Sequence, residues 1–75
     1  MTWNYRVVKK TYMGETLLGV HEVYYDDDGN PDMATVDPVG IVGDDIHELR
    51  REYVYYLRAL LRPVLDYDEI GGDDA

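Results

Sequence analysis

The chain of 75 residues contains no cysteine, no serine and no phenylalanine, and each absence closes off a class of chemistry. Without cysteine there are no disulfides and no thiolate metal sites, so the staples of small secreted domains are missing and a reducing cytoplasm is the expected compartment. Without serine or cysteine, serine and thiol hydrolase chemistry is excluded, and Thr2, Thr11, Thr16 and Thr35 show no arrangement around a base. No apolar run approaches the ~20 residues of a membrane span, and Met1-Thr2-Trp3-Asn4 does not read as the start of a signal peptide. Positive charge is scarce too: 7 basic residues face 16 acidic ones, a net charge of −9 that opposes nucleic acid phosphates and anionic lipid surfaces. Neither direct nucleic acid binding nor membrane binding is expected. The basic residues are nevertheless grouped, with Arg6, Lys9 and Lys10 near the start and Arg50, Arg51, Arg58 and Arg62 further on.

What is present is tyrosine: eight of them beside a single tryptophan. The core must therefore come from aliphatic side chains and tyrosine rings, whose hydroxyls need water or a partner. A chain this short supports one core only, so residues 1–70 are expected as a single small domain and 71–75 as a frayed acidic tail.

Apolar and polar residues alternate from Trp3 to Tyr12, with Trp3, Tyr5 and Val7 on one face and Asn4, Arg6 and Val8 on the other, which predicts a strand. After a short turn at Met13-Gly14-Glu15, Thr16 to Tyr25 predicts a second strand and an antiparallel hairpin. Its inward face is ambiguous, because a one-residue slip reverses every side chain; Val20 inward and His21 outward is the favoured reading. Met33 to Val36 predicts a short third strand, halted by Asp37-Pro38 because proline lacks the ladder donor.

The spacing of Ile46, Leu49, Tyr53, Tyr56, Leu57 and Leu60 predicts a helix from Ile46 to about Leu61 whose apolar stripe lies on the sheet, ended by Pro63. Asp45 is the expected N-cap, with Glu48 completing a capping box, and Asp44 and Asp45 suit the positive end of the helix dipole. The fold class that follows is α+β: a three-stranded antiparallel β-meander with one C-terminal α-helix packed on one face, ββ-β-α in two layers. Val64, Leu65, Tyr67 and Ile70 are apolar enough to fold back on a sheet edge or the helix end.

Several of these segments taken together resemble a family of short, uncharacterised bacterial proteins. They are Trp3-Asn4-Tyr5-Arg6-Val7, His21-Glu22-Val23-Tyr24-Tyr25-Asp26 with Asp28-Gly29 and Pro31, Asp37-Pro38-Val39, Val42-Gly43, Glu48-Leu49-Arg50 and Pro63-Val64-Leu65-Asp66. The resemblance covers nearly the whole chain and implies a self-contained bacterial domain, but it supplies no catalytic or binding residues. Where such sequences carry a second aromatic after the acidic corner, this one has Ala34.

The acidic corner has two readings. Asp26, Asp28, Asn30 and Asp32 follow the alternate spacing of an EF-hand loop, and Asp37 stands at its twelfth position. Pro31 occupies the place of the required glycine, Asp37 is shorter than the bidentate glutamate, and a strand precedes the segment where a helix should. The favoured reading is a hairpin turn in which the Asp side chains bond local amides and Gly29 takes positive φ. His21-Glu22 and His47-Glu48 are two pairs without metal-site spacing, and Gly40 and Gly43 bracket only Ile41-Val42, so no phosphate loop is present. No cofactor, no metal and no enzymatic activity are expected.

The surplus of tyrosine is the better functional clue. Tyr55 and Val54 fall off the helix stripe, and Arg51, Tyr55, Arg58 and Arg62 share one helix side; Tyr and Arg are the residues enriched in protein–protein contacts. Tyr24 and Tyr25 are candidates for the same role. The expected function is a non-catalytic interaction module that binds a protein partner or a second copy of itself. The alternative is an acidic inhibitor or nucleic-acid mimic that presents Asp26, Asp27, Asp28 and Asp32 to a basic groove. A calcium-modulated hairpin is a third possibility.

Overall fold

The computed structural model describes residues 2–71. Two long strands, β1 (Thr2–Tyr12) and β2 (Glu15–Tyr25), pair in antiparallel register from Thr2↔Tyr25 to Tyr12↔Glu15. The two residues between them, Met13 and Gly14, have φ of 48° and 86°, which is the two-residue hairpin turn whose twist matches that of the strands. β3 (Pro31–Ala34) pairs antiparallel with β2, and β4 (Leu65–Asp66) pairs parallel with β1 opposite Val8 and Lys9. The sheet order is β3-β2-β1-β4. The architecture is thus α+β, but the sheet is mixed and four-stranded where a three-stranded antiparallel meander was expected. The parallel strand is only two residues long and carries no alternation that sequence could reveal.

The third strand begins at Pro31, earlier than the expected Met33, and ends at Ala34. The chain then stays on the edge of β2 through two further backbone bonds, Thr35 N–H to Glu22 O and Val39 N–H to Val20 O. Between them Pro38 rests on Gly19, where a side chain would have no room.

Strand alternation divides the sheet into two covered faces. Trp3, Tyr5 and Val7 of β1, with Val20, Glu22 and Tyr24 of β2, point toward α1 (Ile46–Leu60). Arg6 and Val8, with His21, Val23 and Tyr25, point to the other side. There the chain beyond α1 crosses as a strap through β4 and a single 3₁₀ turn at Tyr67–Glu69, ending where Gly71 N–H meets Pro31 O. Gly71 has φ of 64°, and a β-carbon there would strike the carbonyl oxygen of Asp32. Of the tail expected at 71–75, Gly71 is held to the sheet by this bond and residues 72–75 lie outside the described residues.

The strap overturns half of the favoured reading of β2: Val20 does face α1, but His21 on the opposite face is covered as well. His21 is only 1% exposed and ranks with Val8 and Val23 among the largest fully buried side chains, while Val20 is half-buried. The ring is accommodated because Nδ1 lies 2.9 Å from Thr35 O and Tyr67 lies beside it, with ring centroids 6.3 Å apart. Lys10 seals the margin, its ammonium 3.9 Å from the centroid of Tyr67 and 2.6 Å from Val36 O.

α1 begins as the capping residues dictate: Glu48 N–H donates to Asp45 Oδ1 at 2.8 Å, while the Glu48 carboxylate reaches the amide of Asp44 instead of Asp45's own. Its last helical residue is Leu60 and Pro63 follows closely. Its docked side is not the expected stripe. Ala59 is buried and Glu52, Tyr56 and Leu49 are half-buried, whereas Ile46, Tyr53, Leu57 and Leu60 are 53%, 59%, 56% and 61% exposed. The docked side is centred about 70° from the expected stripe at the helical 100° per residue, with Leu49 and Tyr56 common to both. Three features hold it there: the Tyr5 hydroxyl donates to Glu52 Oε1 at 2.6 Å, the Tyr56 hydroxyl donates to Val39 O, and Ala59 is small enough to permit close approach.

Met13 carries a left-handed φ with a fully exposed side chain that gains nothing from the fold. Replacing it by Asn, which tolerates that region, is expected to stabilise the protein by about 0.5–1 kcal/mol, read as a higher urea midpoint with unchanged slope. A lowered midpoint would contradict the turn geometry.

Candidate interaction surfaces

A cleft of about 400 Å³ opens between the first half of β1 and the second half of α1, lined by Trp3, Asn4, Tyr5, Tyr55, Arg58 and Arg62. One wall carries Trp3 and Tyr5, the middle of an aromatic row in which Tyr24, Trp3, Tyr5 and Tyr56 of α1 follow one another with ring centroids 6.3, 5.4 and 5.3 Å apart. The other wall is the end of α1 and the residues just past it. Arg58 stands in the last helical turn and Arg62 beyond the C-cap, and the Arg58 guanidinium sits 5.8 Å from the centroid of Tyr55. The sole ion pair among the described residues is Lys9–Asp66 at 3.5 Å, so neither arginine of the cleft is neutralised by a carboxylate there.

Three of the six candidate contact residues therefore meet: Tyr55, Arg58 and Arg62. Tyr24 adjoins them through Trp3, its hydroxyl donating to Glu22 Oε1 at 2.5 Å. Arg51 lies on the same flank of α1 one turn before Tyr55, outside the cleft. Tyr25 does not join them, because its neighbouring position in β2 places it on the strap face. There its hydroxyl accepts from Arg6 Nη1 at 3.2 Å and donates to Asn4 Oδ1 at 2.7 Å, while Arg6 Nη2 donates to Pro63 O at 2.8 Å. Tyr25 is thus a structural hydroxyl between the strands and the end of α1.

Trp3, Asn4 and Tyr5 were absent from the candidates, although an amphipathic strand beginning with tryptophan is a signal that sequence offers. The larger omission is the outer side of α1. Ile46, Tyr53, Leu57 and Leu60 lie there in the open, and Val64 beyond the helix is exposed as well.

The acidic corner is a turn. Asp26 Oδ1 accepts from the amides of Asp28 and Asn30, both at 2.9 Å, and Gly29 has φ of 83° with a shift of register between Tyr24 and Tyr25. The Asp26 carboxylate is committed to local amides, Asp27 and Asp28 project into solvent, and Asp32 is separated from them in β3. Among the described residues no three His, Asp or Glu side chains converge as metal ligands, and no helix is long and apolar enough to cross a membrane.

Three tyrosines are held in their neutral form. The hydrogen bond to Glu52, then burial, pushes the Tyr5 hydroxyl well above its ordinary range; the bond to Glu22 raises Tyr24, and burial followed by the Glu52 carboxylate raises Tyr56. Comparison with family models, with curated proteins and with solved structures finds no match to this chain, so no activity or site is carried over from a relative.

A neutral Tyr5 is favoured by folding, so its contribution is fully present below the ordinary tyrosine value of 10.0 and is lost as pH climbs through the raised folded value. Glu52→Gln removes the carboxylate that raises it. Near-ultraviolet absorbance titration of the folded protein should show one tyrosine ionising at distinctly lower pH in the variant; superimposable curves would exclude the Tyr5–Glu52 bond.

Proposed function

We propose that this chain is a non-catalytic protein-interaction module that pairs with a second copy of itself through the outer side of α1. The observation that carries the reading is the exposed line Ile46, Tyr53, Leu57 and Leu60. With Arg50 included, its intervals run four, three, four, three, the spacing by which two helices interlock at a small crossing angle. The occupant of such a seam is another helix with the same spacing, and a second copy supplies one. A two-fold axis across the helices gives an antiparallel pair, and the register that sets Ile46 against Leu57 then also brings the Arg50 guanidinium onto the Tyr53 ring. The need for a partner follows from the interior. Among the described residues only Val7, Val8, Val23 and Ala59 are buried apolar residues, a small core for a domain of this size, and pairing adds apolar burial that the isolated fold lacks.

A second reading, an acidic inhibitor or nucleic-acid mimic, draws on the solvent-facing Asp27 and Asp28 of the corner and on the net charge of −9. The two are separable by one assay. Light scattering on eluted protein should give about twice the chain mass of 8.7 kDa for the native chain, and Leu57→Asp should weaken the dimer more than tenfold with helical circular dichroism retained. Asp27→Asn with Asp28→Asn should leave the dimer intact. A native chain that remains monomeric at millimolar concentration ends the homotypic reading.

A further inference from the structure

The cleft beside β1 has a floor as well as walls, and the floor is unfinished sheet. β4 pairs only with Val8 and Lys9, so the outer edge of β1 from Thr2 to Val7 has no strand beside it. An open edge presents alternate amides and carbonyls that a further strand can satisfy. Along this one stand the exposed Trp3 ring, the Tyr5 and Tyr55 rings and the guanidinium groups of Arg58 and Arg62. We infer that the cleft takes an extended acidic peptide segment, which adds to the open edge of β1 as a strand and lays its carboxylates on Arg58 and Arg62.

The spacing fits that occupant. Residues i and i+2 of a strand share a face and stand roughly 6.6 Å apart. Arg58 stands in the last turn of α1 and Arg62 just past its C-cap, both lining the cleft, so the two guanidinium groups face carboxylates on one side of such a strand. Trp3 and Tyr5 repeat the strand interval on the β1 side and offer their rings to the aliphatic portions of the same side chains. A small anion would meet the arginines but leave the strand edge unpaired, so the floor favours a polypeptide. Main-chain bonds supply affinity in this mode and the flanking side chains supply selectivity.

The charge of the whole protein argues the other way, since a body of net −9 repels an acidic ligand at long range. At physiological ionic strength that field is screened over about 8 Å, whereas the guanidinium contacts act at hydrogen-bond distance. The global charge slows the encounter without cancelling the contact. It also tightens selection, because a peptide is retained only if it reaches both arginines.

This site is distinct from the pairing seam. Leu57 and Tyr55 are two residues apart on α1 and therefore face opposite flanks, so a dimer leaves the cleft open.

Trp3 is the chain's only tryptophan and reports directly from the cleft wall. Its fluorescence would be titrated with a doubly capped hexapeptide alternating valine and glutamate, with the lysine counterpart, with the same acidic peptide N-methylated at alternate amides, and with inorganic phosphate. The acidic peptide should give a saturable blue shift, accompanied by slower hydrogen exchange at amides between Trp3 and Arg6. The lysine and N-methylated peptides should bind at least tenfold more weakly, and Arg58→Glu with Arg62→Glu should weaken the acidic peptide at least tenfold and favour the lysine one. No shift, indifference to charge reversal, or equal binding of the N-methylated peptide would overturn the inference. A matching shift from phosphate alone would also overturn it, by assigning the site to small anions.

Discussion

The roll of α1 about its own axis is set where the Tyr5 hydroxyl meets the Glu52 carboxylate, and most of the protein's surface follows from that contact. A helix carrying Ile46, Leu49, Tyr53, Tyr56, Leu57 and Leu60 would, on hydrophobic burial alone, turn those residues to the sheet. A strand that presents a tyrosine hydroxyl at that level offers a different bargain, since a charge-assisted hydrogen bond in a half-buried place is among the stronger polar contacts. Tyr56 reinforces it by capping the carbonyl of Val39, and the small Ala59 lets the backbones approach. Once the helix is turned this way, one flank exposes an apolar line and the other leaves a cleft against β1.

The opposite face of the sheet obeys a different constraint. Its floor of Val8 and Val23 surrounds His21, a residue with polar atoms that no apolar cover could satisfy alone. The edge of the sheet meets part of this with the carbonyl of Thr35 at Nδ1, and the strap lays the Tyr67 ring alongside, while Nε2 stays buried without a hydrogen-bond partner. Arg6 then ties Tyr25 to the end of α1 at Pro63. Each face is closed by a short segment, which suits a chain with little aliphatic material to bury.

Local chemistry was legible wherever one residue type has one use. The strand pair, the turn at Met13-Gly14, the Asp45 cap, the stop at Pro63 and the turn around Gly29 were all written in spacing and in φ preference. What was not legible depended on choices between surfaces of similar apolarity. Val20 and His21 compete for the inside of β2, and the winner is decided by Tyr67, more than forty positions further on. The roll of α1 escaped for the same reason: periodicity reports that a helix has an apolar side but not whether a tyrosine and a glutamate outbid it. Of the candidate contacts, Tyr55, Arg58 and Arg62 were found from their shared helix side, whereas Trp3 and Asn4 needed the strand's neighbour to be known.

The strap has a consequence for how the molecule comes into being. Its anchor, the bond from the amide of Gly71 to the carbonyl of Pro31, joins the end of the described chain to a strand made less than halfway along it. During synthesis Val8, His21 and Val23 have a sheet to sit in well before they have a lid, because the strap is made some forty positions after β2. Closure of that half of the core waits for it, and until then the nascent hairpin displays those residues to whatever is nearby.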